Sequence, residues 1–244
     1  MKTKKNKTFV QTKTKISDAI IANPYLMLML EHFGVKLEVR EKTIEQICNE
    51  YNISTKLFLT IVNLFNGIKP ATISEYSFSE IKTILTYLKN CHYYYQNEKY
   101  PQIQHFIQQI YKVNNHAEIL MIERFFNEYF KEVTEHLNYE NTVVFPYVLN
   151  LNNILAKLTS QNIQINYSVV EYKEHHNDIE EKLTDLKNLL IKYLPQKNDQ
   201  QLRRQLLFSL FELEHDLKIH SQIEDTILIP LVEKMEHLQN TTND

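Results

Sequence analysis

The sequence predicts an all-α chain, and three observations carry that prediction. Glycine occurs twice in 244 residues, at Gly34 and Gly67, too seldom for the tight turns of a sheet-rich fold. In the long segments the apolar residues fall at three- and four-residue spacing, as in Phe125, Phe126, Tyr129, Phe130 and Val133, the stripe that a packed helix buries. The third is a recurrence. EHLNYENTVVFP at 135–146 is echoed by HSQIEDTILIP at 220–230; both read His, three residues, Glu, Asn or Asp, Thr, three apolar residues, Pro. A four-residue step advances a helix by about 400°, so His136 with Glu140, and His220 with Glu224, each share one face.

Residues 1–15 hold six lysines and no acid, with no apolar stretch after them, and are read as a flexible basic tail rather than a secretory leader. Residues 16–66 make a small domain of short helices: Pro24 opens one, Gly34 ends it after Phe33, Thr43 with Gln46 forms a capping box, and Ser54 caps a helix running to Phe65. Thr43 to Phe65 has the outline of a helix-turn-helix. Its second helix, however, offers Lys56 as its basic residue among Leu57, Phe58, Leu59, Ile61 and Val62, a poor surface for phosphates and base edges. Residues 67–77 mix Gly, Pro, Ser and Thr without periodicity and read as a linker. From 78 to 240 the expected helices are long, at about 79–97, 101–113, 116–150, 166–194 and 199–238, with breaks at Pro101, near 161–166 and at Pro195.

Composition excludes some classes. A formal charge of −3 gives no general attraction to nucleic acid or an anionic membrane. The longest apolar run, Tyr25 to Leu30, is far short of the roughly 20 residues of a spanning helix. Cys48 and Cys91 are isolated and form no C-x-x-C, which suits reduced thiols in a cytoplasm and makes neither a ligand candidate.

One helix upstream of each His-x-x-x-Glu lies another histidine. His92 precedes His136 by 44 residues and His175 precedes His220 by 45, so the chain reads as a duplicated helical hairpin. Four imidazoles and two carboxylates form a borderline-hard donor set that suits iron or manganese. Glu140 and Glu224 each have two oxygens and can bridge two ions. A buried, uncompensated Glu or His in a bundle interior costs several kcal/mol, which coordination removes. His176 competes with His175 for the third-helix position; four-residue steps from His175 lead to Ile179 and Leu183 and favour it. Glu132 and Asp216 lie one turn before His136 and His220, and Glu174 directly precedes His175. These acids are read either as outer partners of the imidazoles or as surface charge.

His92, His136-x-x-x-Glu140 with Pro146, Glu174-His175, and His220-x-x-x-Glu224 with Pro230 resemble the hemerythrin-like (HHE) di-iron domain, and more narrowly the repair-of-iron-centres family of iron–sulphur cluster repair proteins. The resemblance implies an up-down four-helix bundle and a His4Glu2 site of His92, His136, Glu140, His175, His220 and Glu224. That site would hold two non-haem iron ions bridged by glutamate and by an oxo or hydroxo group, with Glu132 and Glu174 near it. Oxygen-carrying hemerythrins place a fifth His where this chain has Ile179, and an Asp where it has Glu224, so the resemblance points to the repair branch. It further implies damaged iron–sulphur proteins and nitric oxide or dioxygen as partners, and allows a homodimer. The alternative it leaves is a gas-binding sensor or storage module. A ferritin-type oxidase fits less well, since its motif is Glu-x-x-His. The family's N-terminal domain carries a Cys-Cys pair about where Leu37 and Glu38 stand here, so any thiol chemistry of that pair does not carry over.

Overall fold

The computed structural model describes residues 9–68, 76–115, 117–156, 167–175, 181–192 and 198–243. Among them every regular element is helical, beside a single antiparallel bridge between Lys15 and Thr43. No helix among them is long and apolar enough to cross a membrane. The chain divides into two compact units, one of 1–90, 148–163 and 219–244, the other of 91–147 and 164–218.

The first unit begins with α1 (Ile16–Ala22), α2 (Leu26–His32), α3 (Ile44–Glu50) and α4 (Thr55–Phe65). Their ends agree closely with the sequence reading. Thr43 and Gln46 exchange side-chain and backbone bonds as a capping box at α3, and Ser54 accepts from the Leu57 N–H at α4. At the end of α2, Gly34 takes φ +70°, its N–H reaches the Glu31 carbonyl, and the Val35 N–H reaches that of Leu30. This double bond pattern needs a left-handed residue, which glycine adopts without strain. Helix α4 is the centre of this module: Leu57, Phe58, Ile61, Val62, Leu64 and Phe65 are all buried, whereas Lys56 is exposed. The helix that a DNA-reading module would present to the groove is here turned into the core.

Two boundaries differ from the sequence reading. Residues 9–15 were expected within a flexible tail, yet Val10 is buried, its N–H donating to Asn63 Oδ1 at 2.9 Å and its carbonyl accepting from Asn63 Nδ2 at 3.1 Å. Val10, apolar among the lysines, provides something to bury, and a carboxamide on α4 supplies one donor and one acceptor to its backbone. The expected linker 67–77, of which 69–75 lies outside the described residues, does not separate two cores. Beyond it, after a 3₁₀ turn at Phe78–Glu80, comes α5 (Ile81–Tyr94). Tyr87 meets His32 edge-on at 5.4 Å and Phe33 at 4.7 Å, and Asn90 Nδ2 donates to the His32 carbonyl at 2.8 Å. The start of α5 thus belongs to the core of the N-terminal helices.

The second unit is built from the remainder of α5, α6 (Tyr100–Asn114), α7 (Ala117–Tyr139), α9 (Val169–His175), α10 (Glu181–Lys192) and most of α11 (Gln200–Ile223); α8 (Phe145–Leu155) and α12 (Ile229–Asn243) belong largely to the first. Its contacts run in a ring. Tyr100 of α6 stacks on Phe130 of α7 at 4.5 Å, Lys182 of α10 pairs with Glu132 of α7, Thr184 and Lys187 of α10 hold Glu214 of α11, and Ser209 of α11 returns to Gln102 of α6. Asp199, just before α11, closes the far end: its buried carboxylate accepts from Arg203 Nε at 2.8 Å and from Asn114 Nδ2 at 2.5 Å.

Two buried groups make stability measurable against this frame. Asp199→Ala leaves the buried Arg203 charge without its carboxylate and is expected to lower unfolding stability by about 3–5 kcal/mol, read by urea denaturation. A loss below about 1 kcal/mol would match an exposed pair instead. The second group is Cys48, whose thiol burial pushes up to about 11 from 9.0. Because the folded value is the higher, this stabilisation is present below pH 9.0 and lost as pH rises towards 11. Wild type and Cys48→Ala should differ in the slope of stability against pH within that window and run parallel below it.

Candidate metal centre

The predicted ligands sit at a repeated local feature. Helices α5, α7 and α11 each carry a histidine in the last turn, His92, His136 and His220. Each helix then widens into a π-turn, Tyr95–Lys99, Glu140–Val144 and Glu224–Leu228, before continuing as α6, α8 or α12. The reason is a proline. Pro101, Pro146 and Pro230 each stand two residues beyond the π-turn, where proline cannot donate to the carbonyl four residues back and its ring pushes that carbonyl aside. The preceding residue bonds five back instead: Tyr100 to Tyr95, Phe145 to Glu140, Ile229 to Glu224. The third residue of each π-turn then covers a carbonyl with its side chain, Asn97 that of Tyr93, Thr142 that of Asn138 and Thr226 that of Gln222. The shared Thr and Pro of the sequence repeat are therefore the parts that make the π-turn, and a glutamate opens two of the three.

In the second unit, Glu140 lies between two imidazoles. Its Oε1 is 3.3 Å from His136 Nε2 and its Oε2 is 3.4 Å from His92 Nε2. Glu140 and His92 are 1% exposed, and the His136 side chain 14%. These separations are longer than the 2.7–2.9 Å or so of a charge-assisted hydrogen bond. They match the about 3.0–3.5 Å between two donors that each stand about 2.0–2.2 Å from one ion. The other ring nitrogen of His92, Nδ1, is 3.1 Å from Asn141 Oδ1, and the ring stacks on Phe145 at 5.4 Å. Donation from Nδ1–H to that oxygen leaves the Nε2 lone pair aimed at a carboxylate, an arrangement that needs a cation or a proton between them. In the first unit His220 Nδ1 and Glu224 Oε2 repeat the spacing at 3.3 Å, both buried.

Among the described residues, buried His, Cys, Asp and Glu side chains that could hold a metal ion include His92, Glu140, Cys91 and Asp216 in the second unit and His32 and His220 in the first. Neither Cys91 nor His32 was a ligand candidate from sequence. The backbone of Glu174 and His175 closes α9, but their side chains, like the whole of His176 and Ile179, lie outside the described residues. Glu132 is exposed and paired with Lys182, so in this structure it faces solvent rather than an imidazole. Asp216 is buried and accepts from Tyr95 Oη at 2.7 Å. Leu37 is exposed and Glu38 pairs with Arg40.

Sequence reasoning passed over Asn141 and the aromatic surround. Asn141 directly follows a candidate ligand, Glu140, and has a repeat counterpart in Asp225, a signal present in the motif. Tyr167 contacts Tyr139 and Tyr147 at 6.2 and 5.2 Å between ring centroids. Burial raises its hydroxyl well above the ordinary range, aided by the bond to Tyr139 and by the charges of Glu171 and Glu140. It remains a neutral wall beside a carboxylate. No known family model matches the chain, no curated protein matches it, and no solved structure matches it.

That geometry makes the prolines testable. Pro146→Ala and Pro230→Ala restore the missing N–H, so the π-turn can rewind, turning Glu140 or Glu224 by about 100° relative to the helix beyond the turn. Expected are thermal stability at or above wild type and fewer ions retained per chain after dialysis. Unchanged metal content would show that the π-turn does not position the glutamate.

Proposed function

We propose that this chain binds two iron ions through His92, His136, Glu140, His175, His220 and Glu224, in an up-down four-helix bundle of the hemerythrin-like kind, and serves in the repair of damaged iron–sulphur clusters in the cytoplasm. The observation that carries the metal reading is the position of Glu140, one oxygen towards His136 and the other towards His92, at the separation of neighbouring ligands rather than of a hydrogen-bonded pair. Iron supplies one-electron chemistry and an open position for a small ligand such as nitric oxide. The chain's own groups do the rest. Asn141 fixes the His92 ring, Phe145 covers its face, and Tyr167, which packs on Tyr139 and Tyr147, lies close enough to Glu140 to feel its charge. The repair role rests on the resemblance of the duplicated motif to the repair family.

A second reading, a gas-binding sensor, is favoured by one observation. Helix α5 carries His92 two residues after Asn90, which holds the end of α2. A shift at His92 would travel along one helix to the N-terminal module.

Metal analysis of anaerobically purified protein should give two irons per chain, with Mössbauer spectra of a coupled pair, and His136→Ala/His220→Ala should lose most of it. A mononuclear signal, or wild-type iron in the double variant, would falsify the site. For the repair role, iron-loaded protein should restore an inactivated cluster enzyme faster than the same amount of ferrous iron; equal rates, with a ligand-dependent change in proteolysis of residues 9–68, would favour the sensor.

A further inference from the structure

Helix α11 buries Leu206, Leu210 and Leu213 on one side and leaves Gln201, Arg204, Gln205, Phe208 and Phe211 exposed on the other. Phe208 is 67% exposed, and α10 adds Ile191 at 60%. The two helices frame an open groove of about 330 Å³, walled by Leu190, Ile191, Leu207, Phe208 and Phe211. Its walls are held in place. Lys187 stands over the Phe211 ring at 4.8 Å while Glu214 pairs with its ammonium, and Arg203, which also lines the groove, is tied to Asp199. A contiguous apolar patch with a polar rim marks an interaction surface.

Charge decides what fits it. Arg204 and Glu212 stand four residues before and after Phe208, so the three form a single ridge along the helix surface. Among the described residues Arg204 has no ionic or hydrogen-bonded partner, and Glu212 takes Tyr94 and Lys99 on Oε1 alone, which leaves Oε2 open. We propose that this face docks a second copy of the same chain, as a two-fold pair of α11 helices crossing at Phe208. In the commonest helix crossing, at about −50°, ridges of four-residue spacing on the two helices lie along one another. A two-fold axis at Phe208 runs one ridge against the other. Each Arg204 then meets the other copy's Glu212, and each Phe208 enters the groove beside the other copy's Phe211. The order cation, ring, anion is complementary to its own reverse, as a two-fold contact requires. An acidic foreign helix would meet Glu212 as a like charge, a basic one would meet Arg204, and an anionic amphiphile would leave Glu212 unmatched.

The contact uses none of the proposed iron ligands, so its test stands apart from the iron reading. Sedimentation velocity of the full chain over about 1–100 μM should show a concentration-dependent monomer and dimer equilibrium. Phe208→Glu should leave only monomer. Arg204→Glu, which sets like charges opposite each other at both ends, should weaken the dimer by about tenfold or more. Phe208→Cys should form a disulfide-linked dimer on mild oxidation, because helices about 8–10 Å apart bring the two Cα atoms at the axis within bridging range. Lys218→Cys, exposed on the same helix but far from the axis, should not. The cross-link stands as a separate measurement should Phe208→Glu fail to fold by circular dichroism. A wild type that stays monomeric throughout, a dimer indifferent to both Phe208→Glu and Arg204→Glu, or Lys218→Cys cross-linking as fast as Phe208→Cys would overturn the proposal. So would native mass spectrometry of a monomer carrying a bound fatty acid, which would assign the groove to an amphiphile.

Discussion

The constraint on which the site depends is a carboxylate withdrawn from water between two imidazoles. An ionised glutamate at 1% exposure loses hydration worth several kcal/mol, and recovers it only through groups arranged around both oxygens. Glu140 has one imidazole nitrogen facing each oxygen, and a neutral His92 that donates Nδ1–H to Asn141 turns its Nε2 lone pair to Glu140. Lone pairs directed at a carboxylate repel. A cation at that point converts the same geometry from repulsive to attractive, which is why donor spacing is more informative here than the count of histidines.

The backbone makes this possible through proline. A histidine and a glutamate four apart on a regular helix already share a face, but the next turn would continue at the same pitch. Proline ten residues after the histidine widens the helix at the glutamate, and a Thr hydroxyl two residues on bonds to a carbonyl of the preceding turn. Local widening of this kind occurs mostly where a helix has to present a side chain off its regular register. The arrangement at Tyr95 shows that the device does not depend on glutamate: Asn97 takes the threonine's role, Pro101 the proline's, and a phenol stands at the opening position.

Much of this was legible in the sequence. Capping residues, the Gly34 stop, the helical class and the paired His and Glu could be read because each depends on a few adjacent residues. The π-turns could not be read as such, although their cause was in view: Pro101 looked like a break, whereas the structure carries the helix through it. The third copy was hidden because two of its three marker residues are different and its histidine is displaced by one position. Val10 was lost in a lysine-rich segment since its burial depends on Asn63, 53 residues away, a pairing no local pattern announces. Glu132 shared a face with His136 by spacing, but Lys182 on a different helix decides where its carboxylate turns.

Helix α5 joins the two regions that the sequence had separated. Within a dozen residues it contributes Tyr87 and Asn90 to the core of the N-terminal helices, then His92, then Tyr95. A straight α-helix transmits axial shifts and rotations with little loss, whereas a π-turn is a place where register can change by one residue. The rigid stretch here ends at Tyr94, after His92 and before Asp216's partner. His92 therefore lies on the regular part of α5, and Tyr95 on the part where register can change.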